Sequence, residues 1–272
     1  PYTTLFRSPM SQRMRETAES IIKQPLPLPA GEVSEGAEFL HWLTDNHFTY
    51  LGARDYDLLR EDGDDVLRIV AGSGLGVLRE KPDVETSTRF ATLPTEIREL
   101  VRKPELLIIT KSNSRATVHR PGYMDYIGVK RFDDAGNVCG ERRFIGLYTS
   151  PAYSMSALEI PLLKRKIGTV VDNAGVSANS HLQKALLAIL ESYPRDELSH
   201  TAMGILHLQE RQCTRLFVRR DPFGRYFSCL IYTPRDNYNS DVRQRMQKSL
   251  VQAFEGIAST FTVNVSESVL AR

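Results

Sequence analysis

The segment Asp133-Asp134-Ala135-Gly136-Asn137 does most to limit what this chain can fold into. It is a cluster of turn formers between two runs, 126–132 and 142–148, that are rich in aromatic and β-branched residues. Gly and Asn supply the positive φ that a hairpin turn requires, so the two runs are predicted to pair antiparallel. A second signature of the same kind stands at Asp221-Pro222-Phe223-Gly224, between 214–220 and 225–233, with Pro and Gly in favoured turn positions. Hairpins interleaved with helical stretches predict an α+β fold.

The rest of the pattern fills in around these hairpins. Residues 11–23 have helical composition and stop at Pro25-Leu26-Pro27-Leu28-Pro29, whose alternating prolines favour an extended linker. Residues 35–46 read as a short amphipathic helix, with Phe39, Leu40 and Leu43 on one face. Strand signals follow at 47–59, 66–70 and 106–110, with a short one at 116–119. A helical stretch comes next, over 157–171, 182–192 and 195–212, punctuated by Gly175 and Pro194. Beyond the second hairpin, Val242, Met246, Leu250 and Phe254 mark a helix over 239–254, and 261–265 alternates as a final strand. With the helix before it, this gives α-β-β-α-β, the body of a ferredoxin-like βαββαβ module whose first strand is unread.

Composition narrows the function classes. Hydrophobic residues make up 41% and charged residues 25%, which suits a globular protein with a real core. A net charge of +2 is too small to predict a nucleic-acid or anionic-membrane partner. The cysteines Cys139, Cys213 and Cys229 stand far apart, which argues against a disulfide framework or zinc site and favours a reducing cytoplasmic setting. Pro1–Ser8, PYTTLFRS, is what CCC TAC ACG ACG CTC TTC CGA TCT encodes; it resembles translated sequencing adapter and is set aside from fold reasoning.

No motif predicts catalysis. Gly72-Ser73-Gly74-Leu75-Gly76 approaches G-x-G-x-x-G, but the third glycine comes one residue early, so a plain turn is expected. The histidines form no HExxH pair; His200 and His207, on one helix face, stand roughly 10 Å apart at 1.5 Å per residue, too far to share a metal. Asp55 with Asp57, and Asp133 with Asp134, read as solvated carboxylates at strand and hairpin positions. Arg219-Arg220 and Arg225-Tyr226-Phe227 invite a base-stacking reading, but the string from Phe223 to Phe227 fits the RNP1 pattern only loosely. The most chemically loaded stretch is 111–128, KSNSRATVHRPGYMDYIG. Lys111, Arg115, His119 and Arg120 are its candidate contacts for a small anionic effector, against the plainer reading of a polar loop.

Several strings, in order, carry a resemblance. They are His47-Phe48-Thr49-Tyr50-Leu51-Gly52-Ala53-Arg54; Lys111-Ser112-Asn113 with Val118-His119-Arg120; and Arg143-Phe144-Ile145-Gly146-Leu147-Tyr148-Thr149-Ser150 leading to Tyr153. Ile160-Pro161-Leu162-Leu163-Lys164-Arg165-Lys166, Tyr193-Pro194-Arg195-Asp196-Glu197-Leu198 and Arg219-Arg220-Asp221-Pro222-Phe223-Gly224-Arg225 continue the series. Together they resemble the N-terminal part of the large multidomain bacterial NAD-dependent glutamate dehydrogenases. The resemblance implies ACT-like and PAS-like regulatory modules, with the catalytic lysine and the Rossmann half farther along the chain. It therefore implies a non-catalytic fragment with no cofactor of its own, NAD belonging to the parent enzyme. The expected layout is a scar at 1–8, a helix and Pro-rich linker at 9–34, an antiparallel-sheet PAS/ACT-like module at 35–155, a helical connector at 156–198 and an ACT-like ferredoxin-fold module at 199–272. Expected partners are copies of the parent in a homo-oligomer and an amino-acid effector, with no nucleic acid and no membrane. The alternatives are a stand-alone small-molecule sensor and an RNA-binding ferredoxin-like domain.

Overall fold

The computed structural model describes residues 8–61, 64–79, 91–92, 101–173, 213–221, 224, 226–257, 259, 261, 263 and 270–271. The chain divides into two compact units, Pro1–Lys164 and Arg165–Arg272.

The first unit opens with α1 (Pro9–Lys23). Its first turn is set by Pro9 at the start and by Ser8, whose side chain accepts from the Ser11 amide at 3.2 Å. Met14, Thr17, Ala18 and Ile21 recur at helical spacing and form its buried face. Helix α2 spans Ala30–Trp42, starting five residues earlier than 35, the expected start. Glu32 explains the extension: its carboxylate accepts from the Leu106 amide at 3.1 Å, so a tertiary contact fixes the first turn. Gly36 lets α2 lie close to the sheet, because a Cβ there would stand 2.5 Å from the Leu106 side chain. A π-type turn, Leu43–His47, leads into the sheet through Asn46 at φ +64°.

The sheet is antiparallel, in the order β4-β2-β1-β7-β6-β5, with β3 also paired to β1. Its strands are β1 (Phe48–Glu61), β2 (Asp64–Ile69), β3 (Leu75–Gly76), β4 (Ala91–Thr92), β5 (Leu107–Ala116), β6 (Gly122–Phe132) and β7 (Val138–Tyr148). The 133–137 hairpin forms between β6 and β7: Gly136 takes φ +84°, and the Asp133 carboxylate accepts from the Asn137 amide at 2.8 Å. The expected strands at 106–110 and 116–119 are replaced by one strand, β5, followed by bends at 117–121. A register shift between Lys111 and Arg115 absorbs the polar Ser112-Asn113-Ser114 stretch that reads as a break in the sequence. The 72–76 segment is a turn that ends in β3. Gly76 stands at φ +60°, and a Cβ there would lie 2.1 Å from the Leu51 carbonyl oxygen. That glycine serves strand pairing and is not shaped to cradle a pyrophosphate.

Two polar groups of interactions hold the sheet. On one side Arg142 forms a two-pronged pair with Asp55, both contacts at 2.9 Å, and its other nitrogen donates to Thr17 Oγ1 at 3.0 Å. Asp55 is thus buried and paired rather than solvated, because α1 covers it. Asp57 is likewise engaged, with Arg131. The opposite face carries Tyr126, whose hydroxyl donates to Glu141, and Arg143, which also binds Glu141 and stacks on Tyr56 with 3.8 Å to the ring centroid. Burial, then the Glu141 charge, pushes the Tyr126 hydroxyl far above its ordinary pKa. Burial also lowers the pKa of Lys130, whose ammonium donates to the Lys103 carbonyl at 2.7 Å.

After the sheet come α3 (Ser150–Ser154) and α4 (Leu163–Asn173). The expected helix at 157–171 starts only at Leu163, the residues before it forming turns; Pro161, which lacks the amide an interior turn needs, sits in that stretch. The expected helices at 182–192 and 195–212 lie outside the described residues.

In the second unit, β8 (Arg215–Arg220) and β9 (Phe227–Pro234) pair as a hairpin, with Gly224 at φ +67° in the turn. Helix α5 (Ser240–Ala253) follows, its first turn capped by the Asn239 side chain, which accepts from the Val242 amide at 2.9 Å. The last strand, β10 (Leu270–Ala271), pairs with the far edge of β9. Of the final strand expected at 261–265, residues 262, 264 and 265 lie outside the described residues. Phe261 and Val263 are not in a strand, and the Arg243 guanidinium lies over the Phe261 ring at 4.0 Å, holding it on α5.

Candidate functional site: an arginine–tyrosine end of the sheet

The candidate contacts of the 111–128 stretch all fall on the β5–β6 hairpin, but they play different parts. Lys111 stands opposite Asp125 and forms an ion pair with it. Asp125 is buried, and its other oxygen accepts from the Tyr148 amide at 3.3 Å. Lys111 thus neutralises a structural carboxylate, which removes it from the set of open effector contacts.

Arg115 is next to last in β5, opposite Tyr123, and its guanidinium lies 5.0 Å from the centre of that ring. His119 is exposed in the hairpin bend at φ +65°, a region costly for a residue with a Cβ. Arg120 donates to the Tyr148 carbonyl at 3.1 Å and to the Tyr153 hydroxyl at 3.0 Å, and lies over the Tyr153 ring at 5.2 Å. The hairpin tip is therefore pinned to the end of β7 and to α3.

The aromatic partners are what sequence reading missed. Tyr148 meets Tyr153 edge-on at 6.4 Å and Phe48 edge-on at 5.4 Å, and Trp42 at a tilt at 6.3 Å. Trp42 stacks on His47 at 4.4 Å and donates its indole N–H to the Met155 sulfur at 3.2 Å. Only Tyr153, just after the Ser150-Pro151 helix start, carried a local signal. The others lie far apart in sequence and meet through strand register. The outcome is two exposed arginine–tyrosine contacts, one of which, through Tyr153, rests on a buried aromatic pile. It can offer guanidinium edges to carboxylates.

The remaining flagged residues are engaged elsewhere. Phe227 stacks on Phe254 at 4.5 Å, and the Arg219 guanidinium donates to the Tyr226 hydroxyl at 3.2 Å, so intramolecular partners occupy the side chains suggested for base stacking. Among the described residues, no group of His, Cys, Asp and Glu is placed to hold a metal ion, and no helix is long and apolar enough to cross a membrane. His200 and His207 lie outside the described residues.

Comparison with known proteins decides the family. Residues 215–272 match the glutamate dehydrogenase ACT2 domain model, and residues 160–211 match the glutamate dehydrogenase helical motif 1 model. The NAD-specific glutamate dehydrogenase of Halomonas elongata is 40% identical over 274 residues, covering 97% of this chain and 17% of that protein. The chain corresponds to a region of the large bacterial NAD-specific glutamate dehydrogenases. Its counterpart in Pseudomonas aeruginosa is 35% identical, again over 97% of this chain and 17% of the relative. The one in Mycobacterium tuberculosis is 30% identical over 94% of the chain and 16% of the relative. The chain thus spans about 17% of the length of the first two glutamate dehydrogenases.

Proposed function

We propose that this chain is a non-catalytic regulatory and assembly region of an NAD-dependent glutamate dehydrogenase. The parent enzyme oxidatively deaminates L-glutamate to 2-oxoglutarate and ammonia, reducing NAD. The observation that carries this reading is the match of residues 215–272 to a domain described as ACT2, in a chain aligned over nearly its whole length to a small share of each dehydrogenase. The first unit supports it: its buried polar groups, Asp55–Arg142 and Tyr126–Glu141–Arg143, cross-link strands and helices of one sheet. Residues 35–155 form the PAS- or ACT-like sensory part, 156–198 a helical connector, and 199–272 the ACT module. NAD binds the catalytic part, outside this chain, and the whole is cytoplasmic. Self-association of the parent is the proposed partner contact, and an amino acid the proposed effector.

The test replaces this region with a flexible linker in the full-length enzyme. Glutamate-dependent NAD reduction is expected to persist, with an altered oligomeric state or effector response. Loss of turnover with assembly intact would contradict the reading.

A further inference from the structure

We propose that the hairpin end carrying Arg115, Val118, His119, Arg120, Tyr123 and Tyr153 is a docking surface for an acidic polypeptide segment. Three observations carry it.

The first is exposure: Tyr123, Val118 and Tyr153 are 45%, 50% and 61% accessible, an apolar and aromatic patch beside cationic side chains. Aromatic residues and arginine are what protein interfaces concentrate, and aromatic–arginine anchors dominate their energetics.

The second is charge. Arg115 and Arg120 lie against tyrosine rings rather than carboxylates among the described residues. A guanidinium lying over a ring keeps N–H groups for a carboxylate, and its conformational freedom is already reduced; in Arg120 these are the groups other than Nη2, which already donates to Tyr148 and Tyr153. The carboxylate of the same hairpin, Asp125, is already occupied by Lys111.

The third is preorganisation. His119 is held at φ +65°, while the two Arg120 hydrogen bonds fix the tip. Strain kept at an exposed tip by specific anchors marks a surface built to present side chains.

The alternatives fit less well. A small free anion is usually gripped inside a concave pocket, whereas residues 117–121 are all exposed. Nucleic acid would stack bases on open aromatic faces, and here each exposed tyrosine already carries a guanidinium.

The experiment uses the 272-residue chain and a short fluorescein-labelled peptide of alternating glutamate and leucine, read by fluorescence anisotropy. Binding is expected, weakening with added salt and falling about tenfold in Arg115→Gln, the scale of one interfacial anchor. Among the described residues the Arg115 side chain donates to no backbone group and lies over the Tyr123 ring, so this variant keeps the fold; thermal unfolding of Arg120→Gln is followed in parallel, and its affinity is compared only if it melts like the parent chain. Lys248→Gln, on α5, is expected to leave affinity unchanged. Absence of binding, or equal affinity in Arg115→Gln, overturns the proposal. So does tighter binding of poly-uridylate, or displacement of the peptide by citrate at matched carboxylate concentration. None of these outcomes bears on whether the parent is a dehydrogenase, so this proposal and the functional one fail separately.

Discussion

Arg142 and Arg131 both meet an aspartate of β1, but their surroundings differ. Arg142 and Asp55 are 28% and 10% accessible at the side chain, while Arg131 and Asp57 are 35% and 37%. Removing one partner of a buried pair strands a charge and costs about 3–5 kcal/mol, whereas exposed pairs contribute about 0–1 kcal/mol. Arg142→Ala is therefore expected to lower unfolding stability in urea by roughly 3 kcal/mol or more, and Arg131→Ala by about 1 kcal/mol or less. Equal effects would refute the ranking. The tyrosines make a pH prediction. Burial raises the hydroxyl pKa of both Tyr50 and Tyr126 above the ordinary value. The folded state then holds protons that the unfolded chain releases above about pH 10, so stability should fall as pH rises past that point. Tyr126→Phe should flatten the fall in a denaturation series at stepped pH. Little of this residue-scale chemistry was legible beforehand. Asp55 and Asp57 look alike in the string Arg54-Asp55-Tyr56-Asp57, and only the helix lying over one of them separates buried from half-exposed.

At the scale of elements, local signals were read well where the determinant is local. The 133–137 turn set the β6–β7 hairpin, and Asp221–Gly224 set β8–β9, because the residues demanding positive φ sit in the turns themselves. Reading faltered where a distant contact decides. Helix α2 begins early because Glu32 reaches Leu106, and Phe261 leaves the strand pattern because Arg243 covers it. The same contrast gives a prediction from glycine. Gly31 in α2 has open space around its Cβ direction, so Gly31→Ala should stabilise by roughly 0.5–1 kcal/mol. Gly76 stands at φ +60°, and a Cβ there would lie 2.1 Å from the Leu51 carbonyl oxygen, so Gly76→Ala should destabilise by at least about 1–3 kcal/mol. Thermal unfolding of the two variants checks both signs, and a stable Gly76→Ala chain would show that β3 does not need this close approach. The candidate site was half legible. The polar stretch named its cations, but Tyr123, Tyr148 and Tyr153 join them only through β-strand register and the packing of α3.

At the scale of the whole molecule, family membership comes from ordered similarity along the chain, and function from what the residues are used for. The groups whose pKa burial shifts are used to hold the fold: Tyr126 ties β6 to Glu141 on β7, and Lys130 ties β6 to the Lys103 carbonyl. The glycine-rich stretch makes a strand turn, and the exposed chemistry is a pair of arginine–tyrosine stacks suited to recognition. A regulatory region of a dehydrogenase whose chemistry lies elsewhere accounts for all three. The most direct test is glutamate-dependent NAD reduction by the purified 272-residue chain, followed at 340 nm as a readout of NADH. The account predicts no turnover above the rate without protein at any chain concentration. Turnover that scales with chain concentration and co-purifies with the folded protein would contradict it.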